Sequence, residues 1–400
     1  SITATSATDK LNSYRKVGET TSVSYTSKFG IFRTGFWYEW ANSDRYQIPT
    51  DPRTFIDVLT PNFHEKFITQ SAQPFAQYSY RITRRLTVTA GFKVSNYNIH
   101  LNQFADNGSI IGCLGGTVKA GICSGGLNFV SHTANYRSWQ PTVDAHYRIK
   151  SNWSAYAQWA TGNVIPPSSV FDVKNAVVAV TPKPTVTKAF QFGSVYKTNR
   201  FTLDADAYFI RAQNAYSSAP DAAGNPVYFL TSDTLTKGFE IEGNLVVGKG
   251  FFLYGNGTIG SAKFDDPAHL WVASAPHDTE TAGITYLRGN WDLGFFNKRI
   301  GQLYNDNSSI HQAVAIDPFN ITNLFLNYTI KQASFLRGTK FRVGFNNLFD
   351  NHNIVGVAPA AKTTSVAAPG DFLTLMAGRS VSVAMTFGYA PKRQLLSIAA

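Results

Sequence analysis

The sequence predicts an all-β, membrane-spanning fold: an antiparallel up-and-down β-barrel meander of about 13–16 strands. Three observations predict it. Aromatic residues make up 14% of the 400-residue chain and charged residues only 15%, against about 25% charged in ordinary soluble domains. Mean hydropathy is -0.14, and no run of about 18 apolar residues offers a membrane helix. Apolar outward positions diluted by polar inward ones give this profile in a barrel. Finally, stretches of period-two alternation recur along the chain, joined by connections that are alternately short and long.

The alternation places strands near 14–26, 31–43, 66–80, 85–102, 136–148, 152–162, 186–197, 200–212, 234–246, 250–263, 278–287, 290–303, 318–330, 339–350 and 374–389. In RFTLDADAYFI, Phe201, Leu203, Ala205, Ala207 and Phe209 share one face, and Thr202, Asp204, Asp206 and Tyr208 the other. In GFEIEGNL, Phe239, Ile241 and Leu245 oppose Glu240, Glu242 and Asn244. In FRVGFN, Phe341, Val343 and Phe345 oppose Arg342, Gly344 and Asn346. A soluble sandwich alternates too, with its apolar face inward. Strand length and the wealth of Gly, Asn, Thr and charge on the polar face favour lipid outside and a wet lumen inside.

Seven connections are short: TSKFGI, RITRR, RIKSN, KTNR, VGKG, LRGN and KQASFLRGTK. Long ones fall near 44–65, 103–135, 163–185, 213–233, 264–277, 304–317 and 351–373. Short turns on one rim and long loops on the other are the outer-membrane pattern, with turns periplasmic and loops extracellular. The turns hold Lys28, Arg81, Arg84, Arg85, Arg148, Lys150, Lys197, Arg200, Lys249, Arg288, Lys331, Arg337 and Lys340 and no Asp or Glu, enough to account for the net charge of +11. Such a rim suits anionic lipid headgroups. A nucleic-acid binder gathers its cations on one groove or stripe, so nucleic acid is not an expected partner.

Cys113 and Cys123 flank a short Gly-rich stretch, GCLGGTVKAGIC. A disulfide between them fits an oxidising compartment and would contribute about 2–3 kcal/mol in the chain-entropy account. Two unpaired thiols are the other reading. No four-ligand structural zinc set assembles around them.

No catalytic, cofactor or metal site is expected. Asp204, Asp206, Glu240 and Glu242 lie on neighbouring strands, but carboxylates spread along a sheet read as a hydrated wall before they read as an acid–base or divalent-ion site. Asp144 and His146 share a face without a serine nucleophile motif. The histidines fall mostly on loops and strand ends. Most Trp residues suit aromatic girdles at the membrane interfaces. Trp271, in the long loop FDDPAHLWVASAPHD, is the one candidate ligand contact. No Gly-rich phosphate cradle occurs on a strand–helix turn.

Four segments, in order, resemble the C-terminal barrel of TonB-dependent outer-membrane receptors. RVGFNNLFDN at 342–351 is similar to the family's penultimate strand, with Asn347, Leu348, Phe349 and Asp350 as its core, and LMAGRSVSVAMTFGY at 375–389 to its final strand. TKGFEIEGNLVVGKGFFLYGNGTIGSAKF at 236–264 and IPPSSVF at 165–171, the latter followed by KAFQFGSVYKTNRFTLDADAYFI, match the order of family hairpins. The chain departs from the family where an acidic residue often precedes such strands, carrying Thr187 and Gln191, and in the tail APKRQLLSIAA after Tyr389.

The resemblance implies a barrel of 22 strands around a plugged lumen, with residues 1–389 as its C-terminal part and 390–400 as a tail. The first strand here would be the eighth, preceded elsewhere by a plug and the segment that contacts TonB. It further implies a receptor in the outer membrane of a Gram-negative-type bacterium, embedded in outer-membrane lipid. Such a receptor imports a scarce solute such as a siderophore, cobalamin, haem or oligosaccharide. A passive porin-like channel is the alternative.

Overall fold

The computed structural model describes residues 7–57, 61, 63–104, 113–114, 116–119, 122–128, 131–166, 177–178, 182–220, 226–305, 314–332, 336–358 and 369–388. The expected tail at 390–400, Tyr389 and most of IPPSSVF lie outside them.

Fifteen strands form one sheet in which each pairs antiparallel with its neighbours in chain order. They are β1 Ala7–Thr26, β2 Gly30–Thr50, β3 Phe63–Arg81, β4 Leu86–Gln103, β5 Ser131–Lys150, β6 Trp153–Val164, β7 Thr185–Lys197 and β8 Phe201–Gln213. Then follow β9 Thr234–Gly248, β10 Phe251–Phe264, β11 Asp278–Arg288, β12 Trp291–Ile300, β13 Phe319–Thr329, β14 Lys340–Asn346 and β15 Ser380–Thr386. Every strand expected from alternation is present, and the meander is the one the short turns dictate. At the turn joining β9 to β10, Gly250 adopts φ +94, and a Cβ there would lie 2.9 Å from the carbonyl oxygen of Leu287, so glycine suits the position on two counts.

The ends of strands differ from the expectation in two ways. β1, β2 and β5 run well past it: 7–26 rather than 14–26, 30–50 rather than 31–43, and 131–150 rather than 136–148. The added residues are mostly polar, with only scattered apolar ones such as Leu11 and Ile48, and so carry no regular alternation. Conversely, β14 stops at Asn346, and Phe372–Leu375 leaves the last strand to pair with Ile354–Ala358 in a separate hairpin.

Across the middle of β3, β4 and β5 the sheet is apolar where it is exposed and polar where it is covered. Residues directly opposite in an antiparallel pair share a face. On one face Tyr78, Tyr80, Phe92, Trp139 and Val143 are exposed; on the other Gln73, Ser95 and Gln140 are at most 5% exposed. A water-soluble fold buries the first set and exposes the second. The arrangement here suits a wall with lipid outside and a polar lumen inside.

The same register settles the late strands. Phe341, Val343 and Phe345 lie opposite Met385, Val383 and Val381 on the apolar face. Arg342 donates from Nε to Asn327 Oδ1 at 3.1 Å on the polar face. Glu19, on β1, breaks the apolar band; it accepts a bond from Thr21, and we have no physical account of its placement.

Candidate functional site: the polar wall and the loops above it

Three polar clusters line the inner wall. The first spans β2 to β6. Arg45 Nε donates to Glu65 Oε1 at 2.7 Å, with the Glu65 side chain 0% exposed, and the guanidinium lies over the Phe67 ring. Below this pair, Gln73 Nε2 donates to Ser71 Oγ and Tyr97 OH, and Gln73 Oε1 accepts from Ser95 Oγ. Gln140 Nε2 in turn donates to Ser95 Oγ and to Asn163 Oδ1. Four strands are thus laced together by side-chain hydrogen bonds, while Glu65 Oε2 and Asn163 Nδ2 are buried without a hydrogen-bond partner among the described residues.

The second cluster holds the four carboxylates noted in the sequence. Tyr156 on β6 reaches across β7 to Asp204 Oδ1 and Asp206 Oδ2 on β8, each at 3.4 Å. It can do so because Gly193 lies between: a Cβ there would collide with the Tyr156 ring. Tyr254 OH donates to Glu242 Oε2 at 3.3 Å, and Asn256 Nδ2 to Tyr254 OH. A cavity of about 210 Å³ separates Asp204, Asp206, Glu240 and Glu242. Among the described residues, no three His, Cys, Asp or Glu are placed to hold a metal ion. The cluster is a negatively charged stretch of wall.

The third runs from Asp292 through Asn327 to Arg342. Asn327 Nδ2 donates to Asp292 Oδ2 at 3.2 Å and accepts the Arg342 bond, while Lys340 Nζ lies 3.9 Å from Asp292.

Above the wall the long loops pack on one another. Short loop strands Tyr216–Pro220, Pro226–Leu230, Val177–Val178, Cys113–Leu114 and Leu127–Asn128 join in a second sheet, so three separate loops share one small structure. Phe67, Ile99 and Leu101 form an apolar cluster with Tyr136, Ile165 and Tyr216 against it. A second cluster joins Leu303, Val314, Ile316, Phe319, Val357 and Met376. Sequence reasoning missed both: each gathers residues from strands and loops far apart in the chain, and no local pattern announces such a meeting.

Trp271 sits in this loop layer and is 7% exposed. Its ring lies 3.8 Å, centre to centre, from that of His277, its Nε1 donates to the Ala275 carbonyl at 2.6 Å, and Lys263 lies over the ring. In this conformation the indole packs the loop. Cys123 is disulfide-bonded; the side chain of Cys113 lies outside the described residues.

The tetrad Asn347, Leu348, Phe349 and Asp350 ties off the end of β14. Asn347 is 2% exposed and takes φ +48. Its Nδ2 donates to the carbonyls of Asn351 and Ala377 at 2.8 and 2.9 Å, and its Oδ1 accepts from Asn351 N at 3.0 Å. Its own N–H donates to Asn323 Oδ1, and Leu348 N–H to the Thr322 carbonyl at 2.7 Å. Asp350 Oδ1 accepts from Arg379 N–H at 2.7 Å, and that bond holds its carboxyl below the usual range. The side chain of Asn347 thus joins the exit of β14 to the approach of β15, while Phe349 is 63% exposed. An amide fits where three backbone groups turn away from the ladder and need partners.

Comparison with known proteins agrees with this geometry. No curated protein matches the sequence. Among solved structures, the ferric yersiniabactin uptake receptor FyuA from Yersinia pestis superposes with a TM-score of 0.69 at 12% identity, covering 95% of this chain and 55% of that one. The copper transporter OprC gives 0.69 at 14% identity, with 95% and 57% covered. The siderophore receptor PiuA from Acinetobacter baumannii gives 0.67 at 13%, with 94% and 56% covered. The chain therefore spans a little over half the length of these structures, and the likeness at such identity is one of fold. A family model described as "TonB dependent receptor-like, beta-barrel" matches residues 2–348, and the chain belongs to that family of TonB-dependent receptor barrels.

Proposed function

We propose that the chain forms the larger part of an outer-membrane receptor that captures a scarce extracellular solute in its loops and polar lumen and imports it to the periplasm. Energy would come through TonB, acting on a region not included in this sequence. Family membership carries the reading. The exposed apolar belt supports an address in outer-membrane lipid, and the loop sheet over a polar wall supports a gated path rather than an open pore. The sheet has two edges, β1 and β15. Unpaired edges are not tolerated in hydrocarbon, so further strands would pair with them to close the barrel.

The cargoes named for the similar structures, ferric yersiniabactin and copper among them, are metal species, which makes metal chelates the first solutes to try. The test is uptake of a labelled chelate panel, with cobalamin, haem and oligosaccharides, by cells expressing the complete receptor. Import that stops when TonB is deleted or the proton gradient is collapsed supports the proposal. Solute flux indifferent to both would favour the passive channel.

Cys113 and Cys123 are proposed to bridge each other and so to brace the loop layer. Alkylation without reduction should add no mass to the folded chain, and modification of both thiols would refute the bridge.

A further inference from the structure

The cations of the turns do not all face lipid. Arg81 lies at the end of β3 and Arg148 near the end of β5, and both belong to the polar face, with Thr87 opposite His146 between them. The backbone draws them together: Arg148 N–H donates to the Arg85 carbonyl at 2.8 Å, and Arg148 Nη2 to the Arg84 carbonyl at 2.8 Å. The result is a cleft of about 450 Å³ lined by Arg81, Arg84, Arg85, Thr87, His146 and Arg148. No carboxylate lines it.

This cluster differs from other cations of the sheet. Lys16 pairs with Glu39, Arg45 with Glu65, Arg211 with Asp233 and Asp265, and Lys340 with Asp292. Among the described residues none of the four arginines of the cleft forms an ion pair. Asp144, four residues before Arg148 on β5 and on the same face, forms none either. Four guanidinium groups gathered without a counter-charge repel one another unless an anion joins them. Arginine presents planar forks of donors that match the oxygens of a phosphate group two at a time, and a cleft of this size takes more than one such group.

We propose that Arg81, Arg84, Arg85 and Arg148 form a binding site for a phosphate-bearing anion, opening on the lumen side of the turn rim. The anion is either a soluble phosphate compound entering from the periplasmic mouth or the headgroup of an anionic lipid at the rim. The site does not depend on which solute the receptor imports.

The test uses the full chain in two settings. In vesicles of zwitterionic phosphatidylcholine, pyrophosphate is titrated and binding followed by calorimetry. In the second, phosphatidylglycerol replaces part of the lipid and its retention around the protein is measured. Saturable pyrophosphate binding in the first identifies the soluble source; selective retention of phosphatidylglycerol without pyrophosphate binding identifies the lipid. In either case Arg148→Gln, and separately the Arg84→Gln/Arg85→Gln pair, should weaken binding about tenfold or more, as loss of a charge-assisted hydrogen bond does. Lys249→Gln, a turn cation outside the cleft, should leave it unchanged. These side chains are exposed, and an unchanged urea midpoint for each variant shows that folding is intact. Failure of both anions to bind the unaltered chain, or equal binding by the arginine variants and Lys249→Gln, overturns the proposal.

Discussion

Two regions of the same wall obey different rules. The first five strands are 18 to 21 residues long, whereas β11 to β15 are 7 to 11. About 9–11 tilted residues suffice to cross a bilayer, so the early strands project well beyond it. Their outward face changes character with height. On β4 it reads Val88, Ala90, Phe92 and Val94, then Asn96, Asn98 and His100. On β5 it reads Val143, Pro141 and Trp139, then Arg137, Asn135 and Thr133. The polar parts meet across the pair: Arg137 Nε donates to Asn96 Oδ1, Asn98 Nδ2 to Asn135 Oδ1, and His100 pairs with Thr133. The change falls at Trp139, whose ring packs against Phe92. Outward therefore means lipid below that level and water above it. The short late strands have no such upper storey and are tied off by Asn347.

The largest expected effect comes from putting one cation at two heights on the same outward face. Ala90→Arg, near the middle of the outward band, should cost about 2–4 kcal/mol, whereas Asn98→Arg, eight residues higher on the same face, should cost no more than about 1 kcal/mol. Urea unfolding in lipid vesicles measures both. Equal costs would erase the distinction between lower and upper wall.

A middle-sized effect tests how the short strands end. Asn347→Ala removes three side-chain bonds and strands buried backbone groups, at a cost of about 1–3 kcal/mol. Asn98→Ala, on an exposed upper ladder, should cost no more than about 1 kcal/mol. The same unfolding assay ranks them. If Asn347→Ala were the milder, the tetrad would not be the clasp described above.

The smallest effect is one of pH. The Asp350 carboxyl is held below its ordinary value of 3.8, first by the Arg379 N–H. A depressed carboxyl adds stability above its unfolded pKa and loses it as pH falls through the folded one. The link from β14 to β15 should therefore loosen only below about pH 4. Hydrogen exchange at the Arg379 amide, followed from pH 6 to 3, should show that loosening in the parent chain. Asp350→Asn should lack it. A transition that survives the substitution would assign it to another group.

Much of the wall was legible because lipid outside and water inside force alternation: Phe239, Ile241 and Leu245 against Glu240, Glu242 and Asn244 leave little choice of structure. The strand ends at 7–13, 44–50 and 131–135 were illegible for the complementary reason. Where water bathes both faces, nothing distinguishes odd from even residues, and only backbone pairing with a neighbour makes a strand. The tetrad could be picked out as a motif, but not as a clasp, since its partners Thr322, Asn323 and Ala377 are far away in sequence.

By itself, then, the sequence determined the all-β class, the number and order of the fifteen strands, the sidedness of each and the basic turns. Those properties follow from local periodicity and composition. Only the tertiary structure decided which side chains meet: that Tyr156 passes over Gly193 to reach Asp206, that Trp271 is packed rather than open, that three loops share a sheet, and that four arginines converge at the rim. Each depends on register between strands and on contacts between distant loops, and a linear pattern carries neither.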